Sequence, residues 1–434
     1  MKTRRVVPLI ATALLVNAAH ALPPIQRFEL ENGARVLFVE ARELPMVQLT
    51  LAFDAGAARD PRGERGLALL TAALLDEGAG GMTSDEIAGR IEETGAELQS
   101  ESGRDAARFE FRSLSEPALL ERAGSVFGTI IARPDFPAAA LERERQRLLV
   151  TLARDEQSPS EVGERKFYQL LYGSHPYANP PGGEAAAIKA LTREALAAFH
   201  RRFYVGANAA LVIVGDLSLD QARTLAQRVA GDLPRGETPP ALPPVARPDT
   251  ARAEKIEFPS QQTHVFLGQP GTTRDDPDYF PLYVGNHVLG GGGLVSRLSN
   301  EIREARGLAY SVYSHFQPMR QPGPFLVNLQ TRNDQAAQAI EVTRATLARF
   351  VTDGPAIEEL EAAKRNLTGG FALALDSNKK IAGQLLHIVF YRLPLDYLDR
   401  YIGRVEAVTA DQVRDAFRRR VDPKRLVEVT VGGS

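Results

Sequence analysis

Histidine is the residue type that most readily suggests metal or acid–base chemistry. Beyond residue 21 the chain has His175, His200, His264, His287, His315 and His387. None stands within a helical turn of another, so no His-x-x-x-His or similar local metal pair exists. An isolated histidine is more often a surface or core-edge residue. Serine catalysis lacks its Gly-x-Ser-x-Gly frame, and with no cysteine in the chain thiol chemistry is excluded. The acidic pairs Asp85-Glu86 and Glu92-Glu93 read as solvated helix faces. The richest stretch is Leu289 to Phe316, LGGGGLVSRLSNEIREARGLAYSVYSHF. Gly290, Gly291, Gly292 and Gly293 lack the Lys-Ser/Thr of a phosphate loop, but they permit a tight turn with exposed backbone N–H and C=O groups. Arg303 and Tyr310 flank Gly307-Leu308 in the same stretch. On spacing alone the plainer reading is a guanidinium complementing a helix C-terminus and an ordinary strand aromatic.

The elements that must hold these residues follow from pattern. Ile25 to Val39 reads strand, Asn32-Gly33, strand, a strong hairpin signal. Val47, Leu49, Leu51 and Phe53 alternate as a half-buried strand. An apolar helix opens near Gly66 and stops at the Gly78–Gly81 cluster, and Thr83-Ser-Asp-Glu86 is a capping box for a helix ending at Gly95. A strand through Ala107, Phe109 and Phe111 comes next, then helices over 138–154 and 160–172, a helix from Thr192, and an apolar strand over 209–215. In the stretch from Leu289, Ser296 is placed to cap a helix to Arg306, Gly307 is a natural stop, and Tyr310, Val312, Ser314 and Phe316 alternate as a strand. Six prolines between Pro234 and Pro248 allow neither helix nor central strand, so this segment reads as a semi-rigid linker.

The second half repeats the first. Thr192, Leu196, Arg201, Arg202, Val212, Val214 and Gly215 fall on Thr409, Val413, Arg418, Arg419, Val429, Val431 and Gly432, and Leu141, Glu142 and Leu148 on Leu360, Glu361 and Leu367. The fold expected is α+β: two homologous domains, each a largely antiparallel sheet with helices on one face. The divisions are residues 1–21 as a signal peptide, 22–233, a linker over 234–254, and 255–434.

The stretch Arg65 to Thr83, RGLALLTAALLDEGAGGMT, follows a hairpin and a strand ending in Asp54-Ala-Gly-Ala. In this setting it resembles the zinc helix of the pitrilysin/insulinase-like metallopeptidases. In that family the helix carries His-x-x-Glu-His, two metal ligands and the group that activates water. The matching positions here are Leu69, Ala72 and Ala73. The family's third ligand, a Glu, follows a run matched by Glu142-Arg-Glu-Arg145; its position falls at 149–151, where no carboxylate stands. The resemblance extends to His175-Pro-Tyr177, to Gly182-Gly183, and to a second-half signature of Arg, six residues and Tyr, met by Arg303 and Tyr310.

The resemblance implies a non-catalytic subunit of a periplasmic heterodimeric zinc metallopeptidase, on the plan of mitochondrial processing peptidase. Metal and general base would come from a homologous zinc-bearing partner, with no metal and no cofactor in this chain. Arg303 and Tyr310 would reach across a closed chamber to hold the substrate backbone and steady the developing oxyanion. Substrates would be peptides or unfolded segments, gripped partly as added strands, with the backbone of the glycine run, residues 290–293, as a binding surface. A purely structural or interaction protein with an inactive peptidase fold is the rival reading, and a stand-alone hydrolase with an unrecognised site is a more distant one.

The chain has 434 residues, room for two domains, and a net charge of −2, which predicts neither nucleic-acid nor anionic-membrane binding. Lys2, Arg4 and Arg5 precede an apolar run from Val6 to Val16, and Ala19-His20-Ala21 fits a signal-peptidase site. No stretch is long enough to span a bilayer, so a secreted or periplasmic protein is expected. Mass spectrometry of the exported protein should find Leu22 or a near neighbour as its N-terminus; an intact Met1 would refute the signal peptide.

Overall fold

The computed structural model describes residues 23–433, so the proposed signal peptide lies outside the described residues. The N-terminal half begins β1 (Gln26–Glu29), β2 (Arg35–Glu40), β3 (Met46–Phe53), α1 (Leu67–Ala73), β4 (Gly78–Ala79), β5 (Met82–Thr83) and α2 (Ser84–Glu92). It continues β6 (Glu97–Ser102), β7 (Ala107–Leu114), α3 (Pro117–Ala132), α4 (Ala138–Asp155), α5 (Pro159–Tyr172), α6 (Ala185–Ala190), α7 (Arg193–Phe203), β8 (Ala209–Gly215) and α8 (Leu219–Ala230). The second half holds β9 (Arg252–Ile256), β10 (Gln262–Pro270), α9 (Tyr279–Asn286), β11 (Ala309–Phe316), β12 (Pro324–Arg332) and α10 (Ala336–Asp353). It closes with α11 (Ile357–Gly369), α12 (Asn378–Tyr391), α13 (Tyr401–Glu406), α14 (Ala410–Arg420) and β13 (Val427–Val431).

Local signals act as expected at several boundaries. Gly33 takes φ +89° in the first hairpin, and Thr83 and Glu86 form a reciprocal capping box at the start of α2. The helix of the metal-like stretch is shorter than its apolar run. It ends at Ala73, and Gly80 and Gly81, both at positive φ, turn β4 into β5 as a small hairpin. Strand β9 starts at Arg252, inside the expected linker. Ahead of it the proline-rich segment packs down: Leu242 is buried, and its carbonyl accepts from Gln321 Nε2 at 3.4 Å.

The two sheets have one plan. The first runs β1-β2-β8-β3-β7-β6 and the second β11-β12-β10-β13-β9. Read from opposite ends, β2-β8-β3-β7-β6 corresponds to β9-β13-β10-β12-β11, with a single parallel pair in each (β2/β8 and β13/β9). The Thr192 and Thr409 caps, matched in the sequence, each accept from the third helical N–H at 3.2 Å and open helices that lead to β8 and β13. Each half is therefore a largely antiparallel sheet with its own helices on one face.

The other face of each sheet is covered by a helix from the opposite half. Helix α12 lays Ile381, Leu385, Leu386, Val389 and Phe390 against β2, β3 and β8, and α5 lays Phe167 and Leu171 against β10 and β13. Each such side chain contributes about 1.5–3 kcal/mol on burial, against about 0–1 for a surface ion pair, so this exchange dominates the joint between halves. A buried polar cluster fixes its register. Asp105 accepts from the Tyr177 hydroxyl (2.7 Å), the Arg320 amide (2.9 Å) and the Tyr391 hydroxyl (3.3 Å), while Tyr177 in turn accepts from the Gln321 amide (3.0 Å). Asp54 holds Arg59 through two bonds of 2.7 Å and reaches Arg320 at 3.4 Å.

Gly163 is the point of closest approach of α5 to the second sheet: a Cβ there would overlap the Phe266 ring. Gly163→Ala should therefore cost about 1–3 kcal/mol in denaturant unfolding. Gly89→Ala, at a helix position with open space around it, should be neutral or stabilising. Equal midpoints for the two variants would show that α5 does not bear on β10 this tightly.

Candidate functional site

Helix α1 is positioned by two features outside it. Gly66 opens it at φ +106°, back to back with Gly183 at φ +78°; a Cβ on Gly183 would come within 2.7 Å of Gly66 Cα. The Asp60 carboxylate accepts from the Gly66 and Ala68 amides at 2.7 and 2.8 Å, satisfying donors that a helix start leaves open. Burial pushes the Asp60 carboxyl up to about 7, outweighing the stabilisation its charge receives from those two amides.

Along α1, Leu69 packs on the first-half core, Ala72 is buried and Ala73 is half-buried. The third-ligand region lies on α4: Val150 is 71% exposed, Leu149 packs on the core, and the Thr151 hydroxyl donates to the Arg147 carbonyl at 3.1 Å. Of the nearby carboxylates, Glu144 pairs with Arg147 at 2.6 Å and Glu77 with Arg143, while Asp76 beside them forms no ion pair among the described residues. The zinc of the resembled family does not fit these residues, because Leu69, Ala73, Leu149 and Val150 carry no N, S or O donor. Among the described residues no group of three or more His, Asp or Glu is placed to hold a metal ion.

The histidines are dispersed in structural roles. His175 accepts from the Tyr177 amide at 3.0 Å, and His200 lies 2.9 Å from the Ile131 carbonyl, stacked on Tyr204. Burial pulls His200 and His387 down to about 4, so both are neutral at physiological pH.

The structure brings Arg303 and Tyr310 together. The chain around Arg303 is a π-helical turn, Ser299–Glu304, wider than the α-helix expected; Ser296 stands before the helical residues Arg297 and Leu298 that lead into it, its Oγ accepting from the Ser299 amide at 3.4 Å. π-turns shift side chains out of α-helical register and are frequent at functional sites. Gly307, at φ +63°, reverses the chain into β11. The Arg303 guanidinium then lies 5.2 Å from the centre of the Tyr310 ring, with Glu304 at 3.6 Å. Tyr310 is 85% exposed and sits where the β11/β12 register slips between Ala309 and Val312. β11 is the outer strand of its sheet, and Asn286 of α9 donates to its Ser314 carbonyl at 2.9 Å.

The glycine run differs from a simple turn. His287–Gly291 is a second π-helical segment continuing α9, with the Gly292 amide bonded to the His287 carbonyl at 2.8 Å. Gly290 is buried, its missing side chain allowing Ser314 of β11 to approach, and of the four only Gly293 takes positive φ (+66°). Gly291 and Gly293 are exposed and Gly292 is half-buried, so the run is accessible beyond Gly290. There Leu294 (62% exposed) and Val295 (80%) add an apolar surface that sequence reasoning did not single out, since two aliphatic residues beside glycines have no distinctive pattern. The arrangement can bind: a guanidinium, a phenol, a strand at the sheet edge and apolar side chains.

Residues 190–367 match the sequence family described as Peptidase M16 inactive domain, and residues 35–183 match Insulinase (Peptidase family M16). A crystal structure of a peptidase M16 inactive domain from Pseudomonas fluorescens is 39% identical, covers 95% of this chain and 98% of that one, and superposes with a TM-score of 0.91. A protein named uncharacterized zinc protease in Streptomyces coelicolor is 24% identical over 417 residues, 94% of this chain and 89% of that protein. One named Non-peptidase homolog YmxG in Helicobacter pylori is 24% identical over 387 residues, 88% of each.

The Asp60 cap has a testable pH signature. A carboxyl raised in the fold holds its proton more tightly folded than unfolded, so its contribution is most favourable below the unfolded value of 3.8 and is lost as pH rises to about 7. At about 1.4 kcal/mol per unit, the loss is on the order of 4 kcal/mol. Asp60→Asn should lower stability in acid, where the amide cannot satisfy both N–H groups, yet flatten the decline between pH 4 and 7 relative to wild type. Parallel curves from chemical denaturation would rule out Asp60 as the titrating group.

Proposed function

The chain belongs to peptidase family M16, and from that premise we propose that it is the non-catalytic subunit of a heterodimeric zinc metallopeptidase in the periplasm. It is a peptidase-fold protein whose zinc-helix positions are hydrocarbon, Leu69, Ala72 and Ala73. Among the described residues no helix is long and apolar enough to cross a membrane. The partner would be a homologous chain carrying His-x-x-Glu-His, which supplies metal and base.

The observation that carries this reading is the placement of Arg303 against the exposed Tyr310 on an edge strand. A structural aromatic at such an edge would gain from burial; one left 85% exposed beside a guanidinium is available to something outside the chain. The role follows from donor chemistry. An extended peptide adds to the edge of β11, its main-chain groups bonding to the strand. The Tyr310 hydroxyl and the Arg303 fork then donate to a peptide carbonyl oxygen as negative charge grows on it, and exclusion of water strengthens both bonds. Leu294, Val295 and Tyr313 give apolar side chains of the segment a surface to lie on.

The test is turnover of the pair reconstituted with its zinc-bearing partner, beside the melting temperature of this subunit. Tyr310→Phe should lower turnover on the order of 10²-fold with folding and association intact. Arg303→Ala should be at least as damaging, and Arg303→Lys only partly active, since a point charge does not reproduce the fork. Wild-type turnover in both single variants would leave the chain a wall of the chamber or a purely structural protein.

A further inference from the structure

A crevice of about 430 Å³ opens where β1 and β2 meet the end of α12, and its charge is one-sided. Arg27, Arg35, Arg235 and Arg392 line it, with Glu29 as the lone acidic residue of the lining. Among the described residues none of the four arginines forms an ion pair with a carboxylate. Elsewhere in the fold Arg59, Arg297, Arg344 and Arg419 are each held by a carboxylate within 3 Å.

Capping of α12 accounts for only one of the four. Arg35 donates to the Val389 carbonyl at 2.8 Å, which suits a helix C-terminus. Its Nε is buried with no acceptor, and burial together with the charges of Arg392, Arg320 and Arg27 pulls its guanidinium down to about 10. Arg392 ends the helix at φ +57°, a left-handed position normally given to glycine. Arg235 has only a long 3.4 Å bond to the Glu31 carbonyl. Like charges crowded round a polar crevice, one with an unanswered buried donor, repel one another unless an anion lies between them.

We propose that this crevice binds a phosphate group or diphosphate, with Arg27, Arg35 and Arg392 as its donors. Planar guanidinium forks match phosphate oxygens two at a time, and the crevice is roomy enough to admit a diphosphate. The donors come from the first-half hairpin and from the end of the exchanged helix α12. A bound phosphate therefore ties the two halves together and raises the temperature at which they separate. The site does not rest on the reading of Arg303 and Tyr310. Its phosphate comes either from a soluble compound or from a phospholipid headgroup.

The experiment uses the purified full chain at constant ionic strength, with two arms. One titrates inorganic pyrophosphate by calorimetry and follows the melting temperature. The other measures co-sedimentation with phosphatidylcholine vesicles with and without phosphatidylglycerol. The variant is Arg27→Ser combined with Arg392→Gly; the first position is exposed and the second has a backbone angle that glycine prefers, so folding is kept. Pyrophosphate should bind and raise the melting temperature of the wild type, with affinity reduced by about tenfold or more in the variant. Binding to phosphatidylglycerol vesicles alone, lost in the variant, would support the site and assign its phosphate to a lipid headgroup. Wild type and a folded variant behaving alike in both arms would overturn the proposal.

Discussion

The exchange of helices between halves is the constraint on which everything else rests. Neither sheet covers both of its faces with its own chain: α12 of the second half closes the first sheet, and α5 of the first half closes the second. Asp105 fixes the fit by drawing on three segments at once, Tyr177 before the linker, the Arg320 turn between β11 and β12, and Tyr391 at the end of α12. Its carboxyl is raised, chiefly by burial, so the cluster costs solvation that the surrounding apolar contacts must offset. What it supplies is register. Separating the halves would strip two apolar helix faces and take from Asp105 the Arg320 amide and the Tyr391 hydroxyl, and the chain therefore presents its surfaces in one fixed arrangement.

Within that arrangement the two halves have diverged in opposite senses. The repeat sets α1, 217 residues on, against residues 284–290 of the second half, the end of α9 and the π-helical segment after it, so the glycine run begins where α1 ends. In the first half this position has become packing. Leu69 and Ala72 join the core, while Gly66, Gly183 and Asp60 keep the helix start in its tight crossing. In the second half the chain here turns π-helical and lets β11 approach, and a second π-helical turn further along projects Arg303 toward Tyr310.

Much of the local structure was legible in the residues. The Asn32-Gly33 hairpin, the Thr83 capping box, the proline-rich link and the Thr192/Thr409 repeat are set by interactions between near neighbours, and these act in a short peptide much as in the fold. The absence of donor atoms at Leu69, Ala72 and Ala73 is likewise a property of composition at fixed positions. The apolar run after Gly66 misled on length because its continuation past Ala73 is buried by tertiary packing without being helical; Leu74 and Leu75 are core residues in a turn.

The tertiary structure alone decided which sheet each helix covers. The apolar faces of α5 and α12 announce burial, but hydrophobic periodicity carries no address, and the sheets they meet lie far along the chain or on the other side of the linker. It decided that Gly290 serves close packing and not an exposed loop, since only the fold brings Ser314 against it. It also gathered Arg27, Arg35, Arg235 and Arg392 from two strands, a linker and a helix end. Charges so scattered have no pattern in sequence, and their mutual repulsion exists only once the chain has closed around them. The sequence by itself determined that the first half holds no metal donors at its expected site and that the chain is built from two like halves, because both are matters of residue type and spacing. Where the surviving polar groups meet was left to long-range packing.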